Sequence, residues 1–238
     1  MPSRPDAGRW SDPSPDASVS PADVDIWRIG LGPDPPLLSA LRSNLSQNER
    51  GRAERFVFAE DRDRFITAHG ALRAILGRYL RIHPTDIAFG KTDYGKPFLD
   101  ANCGRDADSL RFNLSHSGDQ ALCAVTRSRE IGVDIEQVRE DFDVYEIADR
   151  FFSSGEVAAL RALPQASLRE GFFTCWTRKE AYIKARGEGL SMPLDRFDVS
   201  VAPGSEARLL SAREGAGDAE GWALRALDPG EGYVAAVA

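Results

Sequence analysis

The chain has 238 residues, 42% hydrophobic and 28% charged, enough for one large packed domain or two small ones. Thirty Lys and Arg against 37 Asp and Glu leave a formal net charge of -7, which argues against a nucleic-acid binder with its broad basic face. No apolar run approaches the ~20 residues that a membrane helix needs, and the N-terminus lacks a basic start followed by an apolar stretch, so a cytoplasmic protein is expected.

Residues 1–24 are rich in Pro, Ser, Asp and Ala and read as a disordered tail. Val24 to Ile29 alternates like a strand. Ser46, with Glu49 three residues on, has the pattern of a helix-capping box. Asp61 to Leu80 is an amphipathic helix with Phe65, Ala68, Leu72, Ile75, Leu76 and Tyr79 on one side. Pro84 ends that region, and Ile87 to Leu99 reads as strand and turn around Tyr94-Gly95-Lys96-Pro97. Two strands, Leu110–Leu114 and Ala121–Thr126, flank a turn Ser115-His116-Ser117-Gly118-Asp119; Ile131–Val138 is another strand. Helices follow over Glu156–Leu163 and Ser167–Arg186, and strands over Phe197–Val201, Trp222–Leu227 and Tyr233–Val237.

The order strand, helices, strands occurs twice. A faint echo accompanies it: Arg55-Phe56 with Glu60 before the first long helix, Arg150-Phe151 with Glu156 before the second. The expectation is a pseudo-twofold α+β protein with halves 25–127 and 128–238. The odd cysteine count (Cys103, Cys123, Cys175) and its spacing fit neither a disulfide framework nor a zinc site, so reduced thiols are expected.

Three segments carry chemistry. In Ile131-Gly132-Val133-Asp134-Ile135-Glu136, strand alternation sends Asp134 and Glu136 to one face, where two carboxylates repel unless a cation or solvent relieves them. Such oxygen ligands suit Mg²⁺; the alternative is a solvated outer face of an edge strand. Gly132 marks a close approach of ligand or backbone. In Phe172 to Lys184, helical spacing puts Trp176, Glu180 and Lys184 in one row. Glu180 would be a third carboxylate and Lys184 a phosphate-binding point charge, against a weak surface ion pair as the alternative. In Phe112 to Gly118, small hydroxyl residues and a glycine after a strand offer backbone N–H groups to a phosphate, with His116 beside them. Arg52, Arg64 and Lys96 could complete an anion site or be ordinary surface charges. Together these segments imply chemistry on a phosphate ester or anhydride.

In that order, Phe112–Gly118, Ile131–Glu136, Phe151-Phe152-Ser153 through Glu156 and Trp176–Lys184 resemble the signatures of surfactin-synthetase-type 4'-phosphopantetheinyl transferases. Tyr94–Pro97 and Gly187–Leu194 resemble two further family stretches, so the resemblance runs from about Arg52 to Leu194. It implies a pseudo-twofold fold with coenzyme A and Mg²⁺ bound between the halves. By residue, Asp134, Glu136 and Glu180 would bind Mg²⁺ and the diphosphate, and the base would be Glu180 first, then Asp134 or Glu156, or a metal-bound water. Lys184 would assist departure of 3',5'-ADP. His116, Arg52 and Arg64 would hold the 3'-phosphate, Lys96 and Ser115 would lie along the nucleotide, and the Tyr94-Gly95 backbone would lie near adenine. Glu49 and Phe65 depart from the pattern, the first standing where some relatives are basic and the second where a small hydroxyl residue can stand. The implied partners are coenzyme A and apo carrier proteins of polyketide or nonribosomal peptide synthases, the Trp-x-x-Lys-Glu-Ala form at 176–181 resembling the branch tied to secondary metabolism. No nucleic acid or membrane is implied, and a monomer is expected. The rivals are a non-catalytic coenzyme A or nucleotide binding module and a metal-dependent phosphohydrolase.

Overall fold

The computed structural model describes residues 10–12, 17–212 and 219–238. Part of the expected tail, residues 1–9 and 13–16, lies outside the described residues. Inside them, Val19 is buried in an apolar cluster and its carbonyl accepts from Arg127 Nε at 3.1 Å, so packing reaches upstream of Val24.

Chain contacts separate two units. One holds the described residues up to Thr92 together with Pro97–Glu130; the other holds Ile131–Ala238 and the short segment Asp93–Lys96, which a division at 127/128 leaves in the first half.

The first unit runs β1 (Val24–Gly30), α1 (Pro35–Asn44), α2 (Gln47–Ala53), α3 (Ala59–Leu80), β2 (Phe89–Lys91), β3 (Pro97–Leu99), β4 (Leu110–Ser117) and β5 (Gln120–Arg127). Its main sheet is antiparallel in the order β1-β5-β4, and β2-β3 forms a separate hairpin. The apolar positions read from α3 become its buried side: Phe65, Ala68, Leu72, Ile75, Leu76 and Tyr79 are all buried. Ser46 and Glu49 form the capping box that starts α2.

The second unit runs β6 (Val133–Gln137), α4 (Val144–Phe151), α5 (Ser154–Arg161), α6 (Leu168–Arg186), β7 (Phe197–Val199), β8 (Leu209–Ala212), β9 (Arg225–Leu227) and β10 (Tyr233–Val237). Its sheet has the order β6-β10-β9, with β7-β8 as a separate hairpin. In both units the first strand pairs with the last and the last with the one before it. Each unit has one long helix and one side hairpin. This is the α+β fold in two halves that the element order suggested.

Three local readings change. Ser115, His116 and Ser117 are not in a turn: β4 continues through them, paired with Leu122, Ala121 and Gln120, and only Gly118-Asp119 turns the chain. Gly118 has φ 54°, a left-handed conformation that glycine adopts without a Cβ clash. The segment read as a turn is therefore mostly edge strand, paired on one side with β5. Helix α4 and strand β8 were not anticipated; α4 is nucleated by Asp143, whose Oδ1 accepts from the backbone of Tyr145 at 2.8 Å and Glu146 at 3.3 Å. All three cysteines are free thiols and buried, and burial pushes the Cys123 thiol up to about 12. No helix among the described residues is long and apolar enough to cross a membrane.

Candidate active site

Gly132 decides how the second unit is assembled. A Cβ at this position would stand 2.1 Å from the carbonyl oxygen of Ala181 and 2.3 Å from the amide nitrogen of Ala185, both on the backbone of α6. The close approach read from this glycine is therefore that of a helix. Gly132, Asp134 and Glu136 alternate onto one face of the strand, so the two carboxylates share the face that meets α6. The solvated outer face is ruled out for Asp134, which is 2% exposed.

Helix α6 is buried on nearly every side. From Gly171 to Ala185 the only residues not buried are Trp176, Glu180 and Lys184, the row that helical spacing picked out. Lys184 Nζ lies 2.5 Å from Asp134 Oδ1, an ion pair with the carboxylate buried and the ammonium about a third exposed. Burial first, then the neighbouring charges of Asp134 and Glu136, push the Glu180 carboxyl above its usual range, and Lys184 partly offsets them. Asp134, Glu136, Glu180 and Lys184 therefore form one electrostatic group. As they stand, no three His, Cys, Asp or Glu side chains among the described residues are arranged to hold a metal ion. The donor chemistry, three carboxylates from one strand and one helix, suits a hard divalent cation; the position beside Asp134 is taken by Lys184.

Glu156 is not free to act as a base. Its Oε2 accepts from the backbone of Ser153 at 3.0 Å in a capping box, and its Oε1 accepts from Val199 N at 2.8 Å and lies 2.7 Å from Lys179 Nζ. Lys179 is fully buried and also donates to the carbonyls of Leu194 and Phe197 at 2.7 and 2.6 Å, with the Phe197 ring 4.2 Å away. An ammonium has three donors, and all three are used here. Sequence reasoning missed this pair; the signal was a lysine beside Glu180 in a chain with only four. Arg178, also buried, donates to Ser200 O at 2.6 Å and Ser205 O at 2.9 Å, which anchors α6 to the loop after β7.

Lys96 donates to the carbonyl of Ala185 at 2.8 Å in the last turn of α6, a favourable place for a cation. Gly187 ends that helix with φ 72°, and a Cβ there would stand 3.0 Å from the Lys96 side chain. Gly95 has φ 84°, and Tyr94 is exposed.

A second, separate group lies in the first unit. Arg52 lies over the Phe65 ring at 4.8 Å, and Phe65 meets the His69 ring at 4.2 Å. Phe65 thus serves as a packing platform where a hydroxyl was considered. Burial, then the positive charges of Arg52, His116 and Arg73, lower His69 to about 4, although Glu49 pulls the other way. His116 is exposed and Ser115 is buried on β4. Arg64 is held by carboxylates, 2.7 Å from Asp119 and 2.7 Å from Glu60. Glu49 is committed to the Ser46 capping box and to Arg73, whose Nε lies 2.6 Å away. Burial works against the ionised Glu49, but the Ser46 amide and then Arg73 hold its carboxyl below the usual range.

Residues 130–238 match the 4'-phosphopantetheinyl transferase superfamily, and residues 32–128 match the family described as 4'-phosphopantetheinyl transferase, N-terminal. The chain is 40% identical over 230 residues to the 4'-phosphopantetheinyl transferase HetI of Nostoc sp. (strain PCC 7120), an alignment covering 96% of this chain and 92% of that protein. The chain belongs to the 4'-phosphopantetheinyl transferase superfamily. It is also 37% identical over 159 residues to the 4'-phosphopantetheinyl transferase Sfp of Bacillus subtilis (strain 168), covering 67% of each chain. Both units carry a family match, and the second match spans the whole Asp134, Glu136, Glu180 and Lys184 group.

Proposed function

We propose that the chain transfers the 4'-phosphopantetheine arm of coenzyme A to a serine of an apo carrier protein and releases 3',5'-ADP. The observation that carries this reading is the Asp134–Lys184 pair beside Glu136 and Glu180, on the one unburied row of a helix inside a transferase-family match. The serine oxygen attacks the β-phosphorus of the diphosphate, a new P–O bond forms, and the bond to 3',5'-ADP breaks. Glu180, on the open row of α6, is assigned as the carboxylate that takes the serine proton. Lys184 offers charge to the departing phosphate. Asp134, Glu136 and Glu180 would hold Mg²⁺, which when bound neutralises diphosphate charge and acts as a Lewis acid.

Arg52, Arg64 and His116 are assigned to the 3'-phosphate, and Tyr94, Gly95, Lys96 and Ser115 to the nucleotide. For Arg64 this requires exchanging a carboxylate for a phosphate. The carriers are those of polyketide or nonribosomal peptide synthases, and the enzyme works as a cytoplasmic monomer. The test is incubation with coenzyme A, Mg²⁺ and an apo carrier domain, followed by weighing the carrier. A gain of one phosphopantetheine supports the reading. Coenzyme A consumed with no change in the carrier points to a hydrolase, and coenzyme A bound but intact points to a binding module.

A further inference from the structure

We propose that Lys184 is a resident counter-ion of the carboxylate group, holding the place of a divalent cation in the metal-free protein and giving it up when one binds. This rests on the metal-site reading above and concerns how that site is kept before it is loaded.

Asp134 and Glu136 lie on the strand face that Gly132 brings against α6, and a carboxylate as deeply buried as Asp134 needs a compensating charge. Lys184 supplies compensation, its ammonium 2.5 Å from a carboxylate that is almost fully buried. Lys179, five residues before Lys184 on the same helix, shows what a permanent lysine looks like in this unit: fully buried, with two carbonyls and a carboxylate on its three donors. Lys184 is different. Its side chain is 30% exposed and reaches Asp134 from the open row of α6. A lysine on a flexible stem whose side chain is 30% exposed can re-pair its charge with water or another anion. A divalent ion brings two charges to the same oxygens and prefers hard donors of this type. Lysine and metal therefore compete for Asp134, and the displaced ammonium is left beside whatever anion the metal carries.

The experiment is Mn²⁺ binding to the full-length protein without coenzyme A, followed by electron paramagnetic resonance of free Mn²⁺. Lys184→Gln is expected to bind Mn²⁺ about tenfold more tightly than the unaltered protein, because the competing charge is gone. Lys184→Arg, which keeps the charge, is expected to stay close to the unaltered protein. Equal or weaker affinity in Lys184→Gln overturns the proposal while leaving the metal site in place. Absence of Mn²⁺ binding in all three proteins overturns the metal site itself, and the proposal with it. A second measurement needs no variant. Amine acetylation of the unaltered protein, read by mass spectrometry, is expected to label Lys184 faster with Mg²⁺ present while Lys179 stays protected. An unchanged Lys184 rate in the presence of bound metal overturns the exchange.

Discussion

The two units repeat one connectivity, and their first strands open on the same tripeptide, Val24-Asp25-Ile26 in β1 and Val133-Asp134-Ile135 in β6. In each unit that aspartate meets the last turn of the long helix: Tyr79 donates to Asp25 at 2.6 Å, and Lys184 lies 2.5 Å from Asp134. A second correspondence lies deeper. A capping-box glutamate pairs with a cation of the long helix in both units, Glu49 with Arg73 and Glu156 with Lys179. Arg73 goes on to the carbonyls of Pro84 and Ile87 and to the Phe89 ring, and Lys179 to those of Leu194 and Phe197 and to the Phe197 ring. The capping-box pair is kept in both units, and the pair made by the first strand's aspartate is not. In the first unit Asp25 faces a phenol that also accepts from Trp27 at 2.8 Å, and burial and Asp25 push that phenol well above its usual range, so it stays neutral. In the second unit the corresponding partner is an ammonium, Lys184, on a side chain 30% exposed. On the proposed function, a shared scaffold becomes a reaction site by exchanging a phenol that stays neutral for an ammonium whose charge can be re-paired.

The sharpest way to break this comparison is to remove the buried cations. Lys179→Met strands a fully buried carboxylate and is expected to lower stability by about 3–5 kcal/mol in urea unfolding. Arg73→Met should cost less, about 2 kcal/mol, because Glu49 is 17% exposed and keeps its capping box. A reversed order would show that the two pairs are not equivalent. At the first strand's aspartate the units should part. Asp134→Asn and Glu180→Gln are expected to reduce transfer at least about a hundredfold, or roughly 2.7 kcal/mol, without unfolding the protein. Asp25→Asn should leave transfer within a few fold and lower only the melting temperature. Loss of transfer in Asp25→Asn would end the division of labour.

Close approach gives a smaller contrast. Gly132→Ala and Gly70→Ala each place a Cβ against backbone, on α6 and on Leu41 O at 2.3 Å respectively, and each should cost about 1–3 kcal/mol. Only Gly132→Ala should also depress transfer, since it lifts α6 from the carboxylates. The last contrast is in pH. His69 sits near 4 when folded and near 6.5 unfolded, so the unfolded chain binds the extra proton between these values. Stability should therefore be complete above about pH 7 and fall on acidification toward 4, by about 3 kcal/mol. His69→Gln should flatten that slope; an unchanged slope would place the acid sensitivity elsewhere.

The carboxylate face of β6 and the open row of α6 were legible because alternation and an i, i+4, i+8 row are periodic, and periodicity is a property of local backbone geometry. The Ser46 cap belongs to the same class. The reach of β4 through Ser117 was not legible, because small hydroxyl residues suit turns and strands alike until a partner strand is in place. Nor was the fate of Glu156: an acid near a site and an acid in a buried pair look the same in one dimension.

What the chain determined unaided was which side chains share a face, and so which acids and bases could work together. What only tertiary structure decided was which of them are spent on holding the protein together. Lys179 and Lys184 lie five residues apart on one helix, and the depth at which packing leaves each ammonium separates a permanent brace from an exchangeable charge.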